Sequence, residues 1–562
     1  MRRLRRANPR IIAPAVVALA ALWFTRPIWH GIVLFFWTKP LVWLVPLAVL
    51  AVGGVLLRRS QRSWTTLEDL RSGMQAPRWL IAFPVMAFVL FVLGAALNGP
   101  LVERAIVRHT TYEAIPGLPP GGKVRLVPRE VAEQNAASAF NSPTETLTNF
   151  RIVNTAHGLV WTALRTPQGT FRVFTKKSQG IVELDAEQTA RSLKPIDAEL
   201  RVAPGLQITD NLRWRLLKRR YLISLEEPVG IETSKGPRIL VPYLEYKGLL
   251  IRRPVLGGVF VVAPDGTIED LEPEEAARRP ELAISGRIFP DTQARRIQDA
   301  YRYKRGLWNA WFVHEDQTRI EDTEVNRQPY LVDFGAQGIG TQWVTVAEPY
   351  GRAFAASAIF LTDATTGRTR IWRVPARTSL SGNRRAIQAV KAVSIPGIDF
   401  GDETPGSGNF HVVEPRPVFV DGRLVYLTSI IPNGANAVSK TVIVDAETNK
   451  LVAIFDNDRD PQAEEKTLRY IETGEVPADV AAPGTTPSAA TGATTTPGTT
   501  TAPGTTTTPG TTTTPSTTTT PGTTTTPAGD VRRRIDDILR RQRQLVDELQ
   551  RLRDDVRKQG GG

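Results

Sequence analysis

The sequence predicts a membrane-anchored α+β protein. Its parts are three N-terminal transmembrane helices, an ectodomain of repeated small antiparallel sheets with helices, a disordered Thr/Pro stalk and a C-terminal coiled-coil helix. Three observations carry this reading. Three long apolar runs crowd into the first hundred residues. Short β-branched and aromatic runs, separated by Asp- and Gly-bearing turns, fill the middle. The end of the chain is a Thr/Pro repeat followed by a heptad. The expected divisions are 1–100 for the membrane helices, 101–128 for a linker and 129–475 for the ectodomain. The stalk takes 476–529 and the coil 530–562.

With 562 residues and 41% of them apolar, the chain is long enough for several domains and apolar enough for a large core. It carries 70 Lys and Arg against 56 Asp and Glu, a net charge of +14. It has no cysteine, which rules out disulfides, thiolate metal sites and a cysteine nucleophile.

The first apolar run covers residues 11–24 and, after Arg26-Pro27, continues over 28–37. Either 11–24 is a short span, or the helix runs on to Trp37 with Arg26 inside it. A cleaved signal peptide is the competing reading, and Ala18-Leu19-Ala20 resembles a cleavage motif. An uncleaved span is preferred because the apolar residues continue and two further spans follow, at 40–57 and 79–97. Arg26 reads as an interfacial cation at a helix end rather than a charge on a pathway, since the spans hold no acidic partner. Arg2, Arg3, Arg5, Arg6 and Arg10 precede the first span. Arg58, Arg59, Arg62, Arg71 and Arg78 lie between the second and third. Both groups belong on the cytoplasmic side, which places everything after Asn98 outside. Much of the positive charge is therefore topological. No basic stripe with interleaved aromatics points to nucleic acid.

Residues 115–121 (IPGLPPG) are a cluster of breakers and read as linker. Helices are expected over 129–140, over 291–311 with Asp291 as N-cap, and over 383–393. Between them an internal repeat recurs. One copy runs over 242–271, a second over 329–372 and a third over 416–455. Each has a proline at entry, an apolar strand and a mid-copy proline (Pro254, Pro349, Pro432). A second strand and a turn follow, the turns being Asp265-Gly266, 363–367 and 445–449. A piece at 158–175 is a candidate degenerate fourth. In these turns Asp accepts from backbone amides two residues on, and Gly or Asn takes the positive φ.

The stretches VIVDAETNKLVAIF (442–455) and IFLTDATTGRTRIW (359–372) resemble the PepSY and cystatin-like modules of bacterial extracytoplasmic proteins. In that family a helix is followed by a small antiparallel sheet whose last hairpin often carries such a turn. The resemblance implies binding or regulation at the cell envelope and transfers no catalytic residue. The first repeat lacks the Thr-Gly part, and the third has Asn449 where Gly is usual.

Residues with chemical potential are few. The histidines at 30, 109, 157, 314 and 411 lack metal-ligand spacing, and His314-Glu315-Asp316 reads as a polar loop. Asp456, Asp458 and Asp460 are spaced as in a calcium loop, but Pro461 stands where glycine is needed and Leu468 where glutamate is needed. Asp399, Asp402 and Glu403 sit in a Gly-rich loop that is either a binding loop or a solvated connection. No catalytic set, cofactor site or metal site is predicted.

Residues 483–528 are almost wholly Thr, Pro, Gly and Ala, with prolines every six residues from 497 to 527. No side chain there builds a core, and the segment reaches on the order of 140 Å if fully extended. The helix after it places Val531, Ile535, Ile538, Gln542, Leu545, Leu549, Leu552 and Val556 on alternating heptad core positions. Leu539 and Val546 widen the apolar face, which favours more than two strands or docking on another helix. These eight are the predicted oligomerisation residues. The expected partners are the lipid bilayer and a protein, or a second copy of the chain, bound through this helix. The expected function is non-enzymatic: a cell-envelope membrane protein presenting a binding or scaffolding ectodomain outside. The alternatives are a PepSY-like regulator of an envelope protease or other enzyme, and an accessory subunit of a transport or secretion assembly.

Overall fold

The computed structural model describes residues 9–61, 79–140, 142–169, 171–188, 193–321, 327–351, 354–401, 408–434 and 437–480. All of these lie in one compact unit, Met1–Ser488. The second unit, Ala489–Gly562, lies outside the described residues, and with it the heptad positions from Val531 to Val556.

Three apolar helices come first: α1 (Pro9–Thr38), α2 (Pro40–Gln61) and α3 (Trp79–His109). Two stretches are long and apolar enough to cross a membrane, Val16–Thr38 and Ala82–His109, and Pro40–Leu56 is a shorter apolar helix. Helices α2 and α3 pack as an antiparallel pair. A Cβ on Gly53 would meet the Phe83 ring at 2.8 Å, and one on Gly94 would meet the backbone of Leu41 and Val42 at 3.2 Å. Glycine at these two positions is what lets the backbones approach. Helix α3 runs on past Leu97 into the folded body that follows, where Ile106 and Val107 are buried.

The body that follows is built from four successive modules, each a helix followed by a four-strand antiparallel meander. Module 1 is α4 (Arg129–Ala139) with β1 (Glu145–Thr155), β2 (Gly158–Pro167), β3 (Ser178–Asp185) and β4 (Leu193–Leu200). Module 2 is α5 (Leu212–Arg219) with β5 (Val229–Thr233), β6 (Gly236–Lys247), β7 (Arg253–Val262) and β8 (Ile268–Leu271). Module 3 is α6 (Asp291–Ala300) with β9 (Tyr330–Phe334), β10 (Gly340–Pro349), β11 (Ala358–Asp363) and β12 (Thr369–Arg373). Module 4 is α7 (Asn383–Lys391) with β13 (Phe410–Val420), β14 (Arg423–Pro432), β15 (Lys440–Asp445) and β16 (Leu451–Asp456). Short edge strands add to the second and third sheets.

Modules 1, 3 and 4 close by the same local device. Each third strand ends in Asp-Ala: Asp185-Ala186, Asp363-Ala364 and Asp445-Ala446. The Asp carboxylate accepts from amides two or three residues on, making the turn. The alanine is fully buried, and its amide donates to the second residue of the module's second strand, Leu159, Thr341 or Leu424. Its carbonyl accepts from the residue two places before the module's helix, Val127, Phe289 or Ser381. An aromatic donor on the fourth residue of the second strand completes the closure. Trp161 donates to the carbonyl of Val127, Trp343 to that of Phe289 and Tyr426 to that of Ser381. A larger side chain than alanine would part the strand from the lead-in. Module 2 departs from this pattern, with Pro264 before Asp265 and an Arg201 amide donating to the Pro264 carbonyl.

Neighbouring modules share cores. Leu164 and Ile181 of module 1 pack with Tyr243 and Phe260 of module 2. Val344 and Leu361 of module 3 pack with Tyr426, Ile443 and Phe455 of module 4. Burying each such side chain contributes roughly 1.5–3 kcal/mol.

Three details differ from the sequence expectation. The segment expected as linker is packed: Leu118, Val124, Leu126 and Val127 are buried, Lys123 bridges Asp333, and the Gly121 amide donates to Phe419. Its apolar residues find core, and the Pro and Gly residues only turn it. The helix expected over 291–311 stops at Ala300, followed by a short 3-10 turn, Tyr301–Tyr303, and a π-helical turn, Asn309–Val313. Gly306, at φ +100°, breaks it. Asp291 is the first helical residue rather than the cap, and pairs with Arg287. At the other end the folded body reaches Val480, past the boundary expected at 475. Helix α8 (Ala463–Thr473) buries Tyr470 and Ile471 and stops at Gly474. Val480, itself buried, then accepts from the Ile454 amide in β16.

Candidate interaction surfaces

The four-module body is bonded to the apolar helices. On α1, the Arg26 guanidinium donates to the Lys218 carbonyl, lies 3.9 Å from the Trp23 ring centroid, and faces Tyr221. The Tyr221 hydroxyl donates back to the Arg26 carbonyl at 2.7 Å. One turn on, buried His30 places Nε2 2.9 Å from the Ile223 carbonyl and Nδ1 3.3 Å from the Arg213 guanidinium. A neutral imidazole with its proton on Nε2 satisfies both partners. Further along, Arg252 lies 3.5 Å over the Trp37 ring, and at the other end the Phe24 ring meets Trp214 edge-on. These contacts run from Phe24 to Trp37, 14 residues or roughly 20 Å of helix, so the second half of α1 runs along the four-module body. On α3, Glu103 pairs with Arg302 at 2.7 Å, and Arg104 donates to the carbonyls of Tyr303 and Lys304. The sequence marked Arg26 as interfacial. It gave no sign of its partners, which come from a helix, α5, whose short polar sequence has only Asn211 as a boundary signal. The Asn211 side chain caps α5 by accepting from the Trp214 amide.

A buried charge cluster holds the modules together. Glu414, at φ +48° in a bulge of β13, accepts from Arg125 at 2.8 and 3.0 Å and from the Arg129 amide at 3.2 Å. Arg416 is fully buried and donates to the carbonyls of Arg125 and Leu126 at 2.7 and 2.8 Å. Arg125 also stacks near Trp161 and Tyr330. Burial pushes the Glu414 carboxyl up, but Arg125 and Arg416 outweigh it and hold it below 4.5. Burial pulls Arg416 down to about 10. Arg416 also bonds the Leu427 carbonyl and the Ser429 hydroxyl of β14, so the cluster ties module 4 to the lead-in of module 1 and reads as a structural lock.

A cleft of about 750 Å³ lies between α4 and β1, lined by Arg129, Glu133, Phe140, Asn149, Arg151 and Glu227. Its charges are paired: Arg129 with Glu133, Arg151 with Glu227. A second cleft, about 620 Å³, opens where the end of α3 meets β7 and β12, with His109, Arg253, Gln293 and Arg370 on its walls.

The residues singled out for chemistry fall in separate places. His411 bonds Asn433 and Glu130, His314 bonds Gln317 and stacks on Tyr350, and His109 bonds its own helix. Asp456 pairs with Lys440, Asp458 accepts from Ser439 and Asp460 pairs with Lys466, so the calcium-like spacing is a turn between β16 and α8. Asp399 accepts from the Gly401 amide, while Asp402 and Glu403 lie outside the described residues. Among the described residues no group of three or more His, Asp or Glu is placed to hold a metal ion.

No family model, curated protein or solved structure matches this chain.

Proposed function

We propose that this is a non-enzymatic, multi-pass protein of a bacterial plasma membrane. It holds a binding ectodomain outside and reaches a partner through a stalk-tethered helix. The observation that carries the reading is the seating of a four-module ectodomain on the apolar helices through Arg26, His30 and Arg104. In this reading α1 crosses with its first apolar run, residues 11–24, and Arg26 stands at the outer interface. Helices α2 and α3 supply the other two crossings. The arginines before α1 and between α2 and α3 put the N-terminus in the cytoplasm and the modules outside. The heptad from Val531 to Val556 then associates with a protein partner or a second copy.

A second reading is favoured by the repetition of a helix and an antiparallel meander, the arrangement of PepSY-like modules: a regulator or inhibitor of an envelope enzyme. Affinity capture by the solubilised full chain, with and without residues 530–562, tests both. A partner retained only when the coil is present supports the first reading. A protease or other enzyme retained without the coil supports the second. Protease added to intact cells should remove the stalk and coil, and full protection of both would refute the orientation.

A further inference from the structure

We propose that the base of the ectodomain is itself a lipid-binding surface, pressing three apolar loop tips into the outer leaflet around the crossing helices. Outside the apolar helices, the most exposed large apolar side chains belong to three loops. Phe171 is 84% exposed beside Phe174, Leu249 is 82% exposed, and Trp308 and Phe312 are 70% and 62% exposed beside Val313. Soluble surfaces scatter single apolar residues, whereas three concentrations at loop tips call for a cover.

Each tip is tied to a membrane helix, and this identifies the cover. The 308–313 tip follows residues 302–304, which are bonded to Glu103 and Arg104 of α3. Those two residues stand about 9 Å beyond Leu97, the end of the apolar run, which is headgroup depth. The Leu249 tip precedes Arg252, which lies over Trp37 of α1. The Phe171 tip is joined by its Val173 carbonyl to the Gln207 amide and by Lys177 to Asp210, the lead-in to α5, which packs on Phe24 of α1. Exposed cations flank all three: Arg172 and Lys176, Lys247, and Lys304. Aromatic and aliphatic tips ringed by cations suit the boundary between acyl chains and phosphate headgroups. A protein partner would not need every tip to border a crossing helix.

The proposal rests on the membrane reading above, so its test separates the two. The chain has no cysteine, and single-cysteine variants take a nitroxide label cleanly. Full-length Phe171→Cys, Leu249→Cys and Phe312→Cys would be reconstituted in vesicles of equimolar phosphatidylcholine and phosphatidylglycerol. Accessibility to oxygen and to a water-soluble nickel chelate would then be compared. Phe91→Cys on α3 and Glu447→Cys on the β15–β16 hairpin serve as references. The expected result is an oxygen-to-nickel ratio at the three tips several-fold above that at residue 447 and approaching that at residue 91. Water-like ratios at two or more tips, with residue 91 in hydrocarbon, overturn the seating and leave the crossing helices intact. A water-like ratio at residue 91 overturns the membrane reading itself. Unfolding temperatures equal to the parent's show that the tip variants fold.

Discussion

Replacing Glu348 by Gln should stabilise the protein above neutral pH and leave its stability unchanged in acid. Glu348 lies near the end of β10, buried against Gly382 just before α7, and its Oε1 has no hydrogen-bond partner. Burial is the main cause that pushes its carboxyl up to about 7, and the neighbouring Glu321 adds to it; Arg384 and Arg319 oppose. A carboxyl raised in the native state binds its proton more tightly folded than unfolded. Stability from this group is therefore fully present below the unfolded value near 4.5 and is lost as pH rises to 7. At about 1.4 kcal/mol per pH unit the loss is roughly 3 kcal/mol by pH 8. Gln has the same shape and no charge, so the variant escapes the loss. Thermal unfolding of the purified full chain at a series of pH values reads this directly. The midpoint difference between variant and parent should be near zero at pH 4.5 and grow to several degrees by pH 8. A difference that stays constant across that range would refute the reasoning.

Arg416→Ala removes the cation that joins β13 to the carbonyls of Arg125 and Leu126. It should cost about 3–5 kcal/mol, with Arg416→Met costing less, as read by denaturant midpoints. Tyr426→Phe deletes one hydroxyl and leaves the Ser381 carbonyl unpaired. The expected loss is about 1–3 kcal/mol, whereas Tyr350→Phe, half-exposed, should be neutral in the same assay. Leu545→Asp with Leu552→Asp should abolish association of the full chain in sedimentation while its unfolding midpoint stays that of the parent; a complex that persists removes the coil's role.

The module plan was half legible. The hairpins at 363–367 and 445–449 announce themselves because Asp-Ala is followed by Thr, with Gly367 or Asn449 at positive φ. The equivalent turn of module 1, Asp185-Ala186-Glu187, has no Gly or Asn after it, so its copy went unread. Residues 158–175 stood in its place, although their last part is a helical turn, Arg172–Thr175. Helices α5 and α8 are hard to read because their buried faces are only three or four residues wide. The contacts of the modules with α1 are invisible for a different reason. Arg26 and His30 meet groups almost two hundred residues away, and no local period encodes such a pairing. The buried Arg125–Glu414 pair is hidden likewise, since alone each residue reads as surface charge.

The Asp-Ala closures also fix an order in time. Each joins a lead-in to a hairpin roughly 60–75 residues later, a local connection that forms early. A chain that emerges N-terminus first can therefore complete modules 1, 3 and 4 one by one. The Arg125–Glu414 bond is of another kind, closing over 289 residues. It waits until the last sheet has arrived, and the first module holds its arginine ready until then. A chain cut short before Glu414 would have its early modules shaped but unlocked, and open to proteolysis.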